Sequence, residues 1–211
     1  MVIRTSLLLK IIFAIFGTIV IGHISGVVYG ISNFIEDTII TDLFFFGHEK
    51  NITALYSSAL FLLIGYCFHQ LSIKYNKDQK NWKLLRNICA YLACDEWFAI
   101  HDALLNPLGL GPLKVPYWVW IYAVIFVFIL IKLLPFIKKI PKSLLKYLIP
   151  GAIVFIGGAA IMEVVTYSIP DFFDIFFQFG LFFEDGLEMA GLLIASYGCL
   201  KHTEVNQTLV F

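Results

Sequence analysis

Charged side chains are scarce in this sequence. Asp, Glu, Lys and Arg make up 14% of its 211 residues, whereas about 25% is usual in soluble domains. Apolar residues make up 60%, above the roughly 45–50% of an average soluble domain. So few polar side chains cannot cover a water-soluble globule. The net charge is zero, so the chain has no overall attraction to phosphate, and we expect no nucleic-acid partner.

Cysteine and the common catalytic motifs are scarce or missing as well. The four cysteines stand apart in apolar stretches and form no CxxC pair, which argues against a zinc ribbon and against a disulfide framework. The sequence contains no HExxH, no Glu-x-x-His pair, no P-loop and no nucleophile elbow. These absences weaken the case for zincin-type hydrolases, di-iron proteins and nucleotide-binding enzymes.

Long apolar runs are what the sequence does contain. A helix needs about 20 mostly apolar residues to cross a bilayer, and six segments meet this requirement. The loops between them are short, so we predict one domain over residues 1–211, an all-α integral membrane bundle of six transmembrane helices. The six segments are Ile11–Ile31, Ala54–Ile73, Leu84–Leu105, Tyr117–Ile137, Leu148–Tyr167 and Phe176–Leu200.

Lysine and arginine are distributed unevenly around these segments. Of the fifteen basic residues, only Lys50 and Lys114 lie on one side of the predicted bundle. Loops rich in lysine and arginine stay in the cytoplasm. We therefore expect both termini to be cytoplasmic, in the inner (plasma) membrane of a bacterium. The loop at residues 33–50 mixes acidic and large apolar side chains, which predicts an interfacial helix at the outer surface or a lid over a site facing outward.

Acidic residues and histidines interrupt the apolar segments, and no lysine or arginine shares their depth. An ionised acid at the bilayer centre costs about 2.5–3.5 kcal/mol, so seven unpaired acids would cost more than the roughly 5–15 kcal/mol that stabilises a small domain. Protons, bound cations or a water-filled cavity must compensate their charge. The residues concerned are His23, Asp95, Glu96, His101, Asp102, Glu163, Glu184, Asp185 and Glu188.

Helical spacing predicts which of these side chains meet. Counted from the middle of each segment, all of them fall between the midplane and the outer half. Glu184 and Glu188 share one face because they are four residues apart. The four polar residues of the third segment cannot all face one point, and we expect three of them to reach the cavity. Glycines are expected to bring Glu163 close to Glu184 and Glu188; they are Gly157, Gly158, Gly186 and Gly191.

Carboxylate and imidazole groups together suit iron, zinc or manganese. We therefore predict a metal site, with Asp102 and Asp185 as the residues that move protons. Protonated carboxyl groups, hydrogen-bonded in a core or lining a wet cavity, are the alternative interpretation. The predicted metal ligands are His23, Asp95, Glu96, His101, Glu163, Glu184 and Glu188.

Three segments also resemble a known pattern: CDEWFAIHD at 94–102, GGAAIME at 157–163 and FEDGLEMAG at 183–191. They resemble a bacterial family of multi-pass membrane proteins of unknown function. In that family an Asp-Glu…His-Glu helix precedes a Gly-rich helix with one Glu and a Glu-Glu-x-x-Glu-Met-x-Gly helix. The resemblance covers roughly residues 88–200. Asp102 and Asp185 depart from it by replacing longer acids. It supports the choice of site residues and implies no activity.

Three functions remain open from the sequence. The first is a metal-dependent membrane enzyme, oxidative or hydrolytic, that acts on a lipid-like substrate from the outer leaflet. The second is a transporter or channel for divalent cations or protons, because acids inside membrane helices commonly mark ion pathways. The third is a non-catalytic assembly or sensor subunit, in which polar groups join helices. Membrane lipids are the expected partners, and the sequence does not indicate an oligomeric state.

The predicted orientation can be tested by cysteine labelling. A cysteine at Ser168, on a background without the native cysteines, is expected to react with an impermeant thiol reagent added outside the cell. A cysteine at Lys142 is expected to react only after the membrane is permeabilised. The opposite labelling pattern would reverse the topology.

Overall fold

The computed structural model describes residues 5–33, 43–46, 50–105, 108–109, 115–168 and 174–204. Six helical stretches make up most of these residues, which include no β-strand. Two stretches are interrupted and have more than one part. The helices are α1 (Thr5–Asn33), α2 (Ile52–Lys74), α3 (Gln79–Phe98), α4 (Ile100–Leu105), α5 (Tyr117–Ile137), α6 (Lys142–Ile156), α7 (Glu163–Ser168) and α8 (Asp174–Glu204). A π-helical turn (Gly157–Met162) joins α6 to α7.

The structure confirms the all-helical prediction and supports four of the predicted membrane-crossing segments. Within the described residues, four helices are long and apolar enough to cross a membrane, namely Thr5–Val28, Ile52–Lys74, Tyr117–Ile137 and Lys142–Val165. Helices α3 and α8 are not among them. Both carry charged side chains, which interrupt their apolar runs.

Helix α2 lies at the centre of the bundle. Of its apolar stretch, 61% is buried, against 11–17% for the other three helices that are apolar enough to cross a membrane. It packs along α3 and α8, and α6 also packs along α8. Because α1, α5 and α6 bury few of their apolar side chains, their surfaces suit contact with lipid rather than water.

Helices α6 and α8 approach each other closely enough for their backbones to touch. A Cβ atom at Gly191 would lie 2.5 Å from the backbone nitrogen of Phe155 and 2.6 Å from the carbonyl oxygen of Gly151. Glycine is required there, as at many close helix contacts in membranes. The prediction that Gly191 allows close approach is confirmed.

The same prediction was wrong for Gly157 and Gly186. A Cβ atom at Gly157 would meet nothing within 4 Å, and one at Gly186 would meet only Phe46, at an ordinary 3.8 Å. Successive residues of a helix point about 100° apart. A glycine beside one that forms a contact therefore faces a different neighbour.

One short part of the predicted outer loop is inserted into the bundle. Phe46 is fully buried, and its backbone N–H donates a hydrogen bond of 3.1 Å to Nδ1 of His23. The two rings stack with centroids 4.3 Å apart, and the ring of Phe182 lies 5.5 Å from each of them. Residues 34–42 and 47–49, which make up most of the predicted interfacial helix, lie outside the described residues.

Asn51 connects this inserted segment to α2. Its side-chain nitrogen donates to the carbonyl oxygen of Phe45 at 2.6 Å. Its side-chain oxygen accepts the backbone N–H groups of Thr53 and Ala54 and so caps the first turn of α2. A single polar side chain thus satisfies a helix end and holds the loop that leads to it.

We expect Phe46→Ala to destabilise the bundle by about 3–5 kcal/mol, because the ring fills a site between α1 and α8 that water cannot enter. Phe128→Ala is the matched control, since the side chain of Phe128 is 69% exposed and its loss should change stability by no more than about 0.5 kcal/mol. Unfolding of both variants in detergent micelles measures the difference. Equal stabilities would show that the inserted segment does not hold the bundle together.

Candidate functional site

Four other carboxyl groups are near enough to Glu188 on α8 to interact with its carboxyl group, and the five come from three helical stretches. The carboxyl group of Glu188 interacts electrostatically with those of Glu96 on α3, Glu163 at the start of α7, and Glu184 and Asp185 one turn earlier on α8. We call these five residues the carboxylate cluster. The prediction from helical spacing that Glu163 lies near Glu184 and Glu188 agrees with this arrangement.

A π-helical turn positions Glu163. The turn covers Gly157–Met162, and Glu163 follows it with only 8% of its surface exposed. The backbone of the turn lies directly against α8, because a Cβ atom at Gly158 would be 2.6 Å from the carbonyl oxygen of Glu184 and 2.9 Å from the backbone nitrogen of Glu188. Interruptions of this kind occur often at functional sites. The run of small residues in GGAAIM was the available signal for it.

The predicted third segment is not one continuous helix, because the chain breaks at Ala99. This residue has left-handed backbone angles (φ 50°, ψ 50°) and ends α3. Its backbone N–H still donates to the carbonyl oxygen of Asp95. The chain then begins α4 in a new direction, so His101 and Asp102 do not lie where a continuous helix would place them.

The break brings His101 onto the side chain of Asp95. Oδ1 of Asp95 accepts the backbone N–H of His101 at 2.9 Å, and Oδ2 lies 3.3 Å from Nδ1 of the imidazole ring. The carboxyl group thus contacts both the backbone and the ring of one residue. Asp95 is buried, whereas the side chain of His101 is 19% exposed.

Two aromatic side chains lie beside this pair, and a third contacts one of them. The ring of Trp118 lies 4.6 Å from that of His101, and Tyr122 contacts the imidazole edge-on at 6.5 Å. Tyr122 also interacts with the carboxyl group of Asp95, and its hydroxyl oxygen lies 2.6 Å from that of Tyr91. Tyr91 and Tyr122 are not among the residues predicted from the sequence, although Tyr91 stands one helical turn before Asp95.

The predicted site residues therefore fall into separate groups. Glu96, Glu163, Glu184, Asp185 and Glu188 form the carboxylate cluster, Asp95 and His101 form a pair, and His23 lies among aromatic rings with its Nδ1 accepting the amide of Phe46. The side chain of Asp102 lies outside the described residues. Among the side chains that are described, no three of His, Cys, Asp or Glu are close enough together to hold a metal ion.

Almost the whole chain matches one family model. Residues 11–203 match the model described as a domain of unknown function (DUF8692). The chain belongs to the DUF8692 family. The match spans both the carboxylate cluster and the Asp95–His101 pair, and it agrees with the resemblance to a family of unknown function. No curated protein and no solved structure matches this DUF8692 chain.

The two adjacent glycines of the π-helical turn provide a matched test of its contact with α8. Gly158→Ala is expected to lower stability by about 1–3 kcal/mol, because the added methyl group would meet backbone atoms that cannot move independently. Gly157 has ordinary helical angles (φ −61°, ψ −40°) and open space around it. Gly157→Ala should therefore be neutral or raise stability by up to about 1 kcal/mol. Thermal unfolding that lowers both variants equally would contradict the observed contact.

Proposed function

We propose that this chain is a metal-dependent integral membrane enzyme whose carboxylate cluster binds a divalent cation next to a lipid-like substrate. One observation carries the proposal: five carboxyl groups from three helical stretches interact around Glu188. No lysine or arginine occurs between positions 147 and 200, or between 87 and 113. A bound divalent cation would compensate the negative charge of the carboxylate cluster.

The chemistry of the cluster favours a hard cation. All five of its side chains offer oxygen atoms, which suit magnesium, manganese or calcium. The Nδ1 atoms of His23 and His101 contact the amide of Phe46 and the carboxyl group of Asp95 instead. Of the metals expected from the sequence, manganese therefore fits better than zinc or iron. Glu96, Glu163, Glu184 and Glu188 would hold the ion, and Asp185 would move protons beside it.

This donor set favours a hydrolytic reaction over an oxidative one. A divalent cation held by carboxylates lowers the pKa of bound water and polarises carbonyl or phosphoryl oxygens. The surrounding helices expose apolar side chains, so a substrate with acyl or prenyl chains would reach the cluster from within the bilayer. We also propose six membrane-crossing stretches with both termini in the bacterial cytoplasm. The uneven distribution of lysine and arginine supports this orientation.

Transport of a divalent cation or of protons is the second candidate. It is favoured by the observation that no three of the described His, Cys, Asp and Glu side chains are close enough to form a ready-made metal site. A transported ion must be bound weakly enough to leave. Purified protein in liposomes distinguishes the two candidates. Selective flux of Mn²⁺ or protons that Glu188→Gln abolishes would replace the enzyme proposal by the transport proposal.

We expect Glu188→Gln to weaken Mn²⁺ binding by roughly tenfold or more, because it removes the central charge and keeps the shape of the side chain. Equilibrium titration followed by electron paramagnetic resonance measures free Mn²⁺ directly. His69→Ala and His202→Ala are controls, since these histidines contact Arg86 and Ser143 instead. Equal Mn²⁺ affinity in all variants, or no binding by the unaltered protein, would contradict the proposed cation site.

A further inference from the structure

We propose that Asp95 and His101 are the proton-transfer pair of this enzyme, and that Tyr122 and Tyr91 position the carboxyl group of Asp95. The inference rests on the proposed enzyme function and adds to it the acid–base residues. The sequence predicts both residues as metal ligands. In the structure, their side chains lie against each other.

The geometry of the pair is that of an oriented acid–base group. The backbone N–H of His101 holds Oδ1 of Asp95 at 2.9 Å, which leaves Oδ2 facing Nδ1 of the ring at 3.3 Å. A carboxylate in this position keeps the proton of a neutral imidazole on Nδ1, so that Nε2 is the nitrogen that accepts protons. The backbone contact and the ring contact together fix the orientation of the imidazole.

The backbone at Ala99 is a second observation that points to the same site. A left-handed conformation is unfavourable at a residue other than glycine, and residues with such backbone angles cluster at functional sites. In a continuous helix, the amide of His101 would bond to the carbonyl oxygen of residue 97 instead. The break at Ala99 is therefore what allows Asp95 to hold both the amide and the ring of His101.

The neighbouring side chains support both members of the pair. Tyr122 interacts with the carboxyl group of Asp95, and Tyr91 lies 2.6 Å from the Tyr122 hydroxyl group, so a chain of polar contacts continues behind the carboxylate. On the other side, the ring of Trp118 lies 4.6 Å from the imidazole. An aromatic ring and a carboxylate beside the imidazole both favour the imidazolium cation that forms when His101 accepts a proton.

The pair is connected to the carboxylate cluster through one peptide unit. Asp95 directly precedes Glu96, whose carboxyl group interacts with that of Glu188. In hydrolysis, Nε2 of His101 would take the proton of the attacking water, whose oxygen forms the new bond to the substrate. The same nitrogen would then give that proton to the oxygen that leaves. No proton is gained or lost over the cycle.

The test is nitrogen-15 NMR of the full chain in detergent micelles with labelled histidine, of which the chain has five. His101→Gln identifies the resonances of His101. In the unaltered protein, His101 is expected to carry a hydrogen-bonded proton on Nδ1. Asp95→Asn is expected to abolish this signature, and Tyr122→Phe to weaken it. If His101 carries its proton on Nε2 in the unaltered protein, the proposal is overturned.

Two matched controls separate this effect from a general loss of structure. Asp78→Asn removes an acid that pairs with Lys139 at 3.2 Å, and Tyr197→Phe removes a hydroxyl group that contacts Lys201 at 3.4 Å. Neither should change the His101 signature. A change of similar size in either control would show that the signature reports folding rather than the Asp95 contact, and would also overturn the proposal.

A magnesium titration distinguishes this inference from the proposed cation site. Mg²⁺ should shift the His101 resonances of the unaltered protein and of Tyr197→Phe, but not those of Glu188→Gln. Asp95→Asn should still bind Mn²⁺ within about threefold of the unaltered protein, because Asp95 is not a ligand. If Mn²⁺ binds and Mg²⁺ does not shift the His101 resonances, the pair does not transfer protons for a reaction at the carboxylate cluster, and the proposal is overturned. If Mn²⁺ does not bind while the Nδ1 signature is present, the cation site fails instead.

Discussion

A carboxyl group inside a bundle of apolar helices must have its negative charge compensated by a partner or remain protonated. This constraint governs the region around Glu188, where four other carboxyl groups interact with that of Glu188. Helix α8 carries three of the five, and it can contribute them only because it lies directly against α6 and the π-helical turn. Gly158 and Gly191 make that approach possible. The close packing of the two stretches and the acidic character of the site are therefore one feature.

The polar residues of the bundle are divided between two environments. The carboxylate cluster contains only oxygen donors, whereas the Asp95–His101 pair lies among aromatic rings. The division suits an enzyme that binds a cation in one place and transfers protons in another. A site in which all these residues bound one ion would leave none of them available for acid–base work.

Several elements of this structure were predictable from sequence, because they depend on local spacing. The helical stretches follow from apolar runs, and the interaction of Glu188 with Glu184 and Glu163 follows from helical faces and from Gly158. The break at Ala99 was not predictable, because alanine is the strongest helix former and rarely adopts left-handed angles. Asp95 stabilises the break, because its side chain accepts the backbone N–H of His101, six positions later.

Contacts between distant parts of the chain were not predictable from the sequence either. Phe46 belongs to a loop whose composition predicts an interfacial helix. Only its contacts with α1 and α8 show that it is a core residue. The same holds for Tyr122, which is 31 positions from its hydroxyl partner Tyr91. Both cases concern aromatic residues, whose apolar faces suit lipid and protein interior equally well.

The π-helical turn has a consequence for the length of the chain between α6 and α7. Such a turn holds one residue more than an α-helix uses to cover the same distance, so it is what the insertion of a single amino acid leaves behind. If the same six residues formed an ordinary α-helix, Glu163 would turn by about 100° from its present direction. Removal of one residue from Gly157–Met162 would let an ordinary helix cover the same distance and keep Glu163 in its present direction. The number of residues between α6 and α7 and the form of the helix there therefore depend on each other. A protein with the same acids and one residue fewer would keep this arrangement only without the π-helical turn.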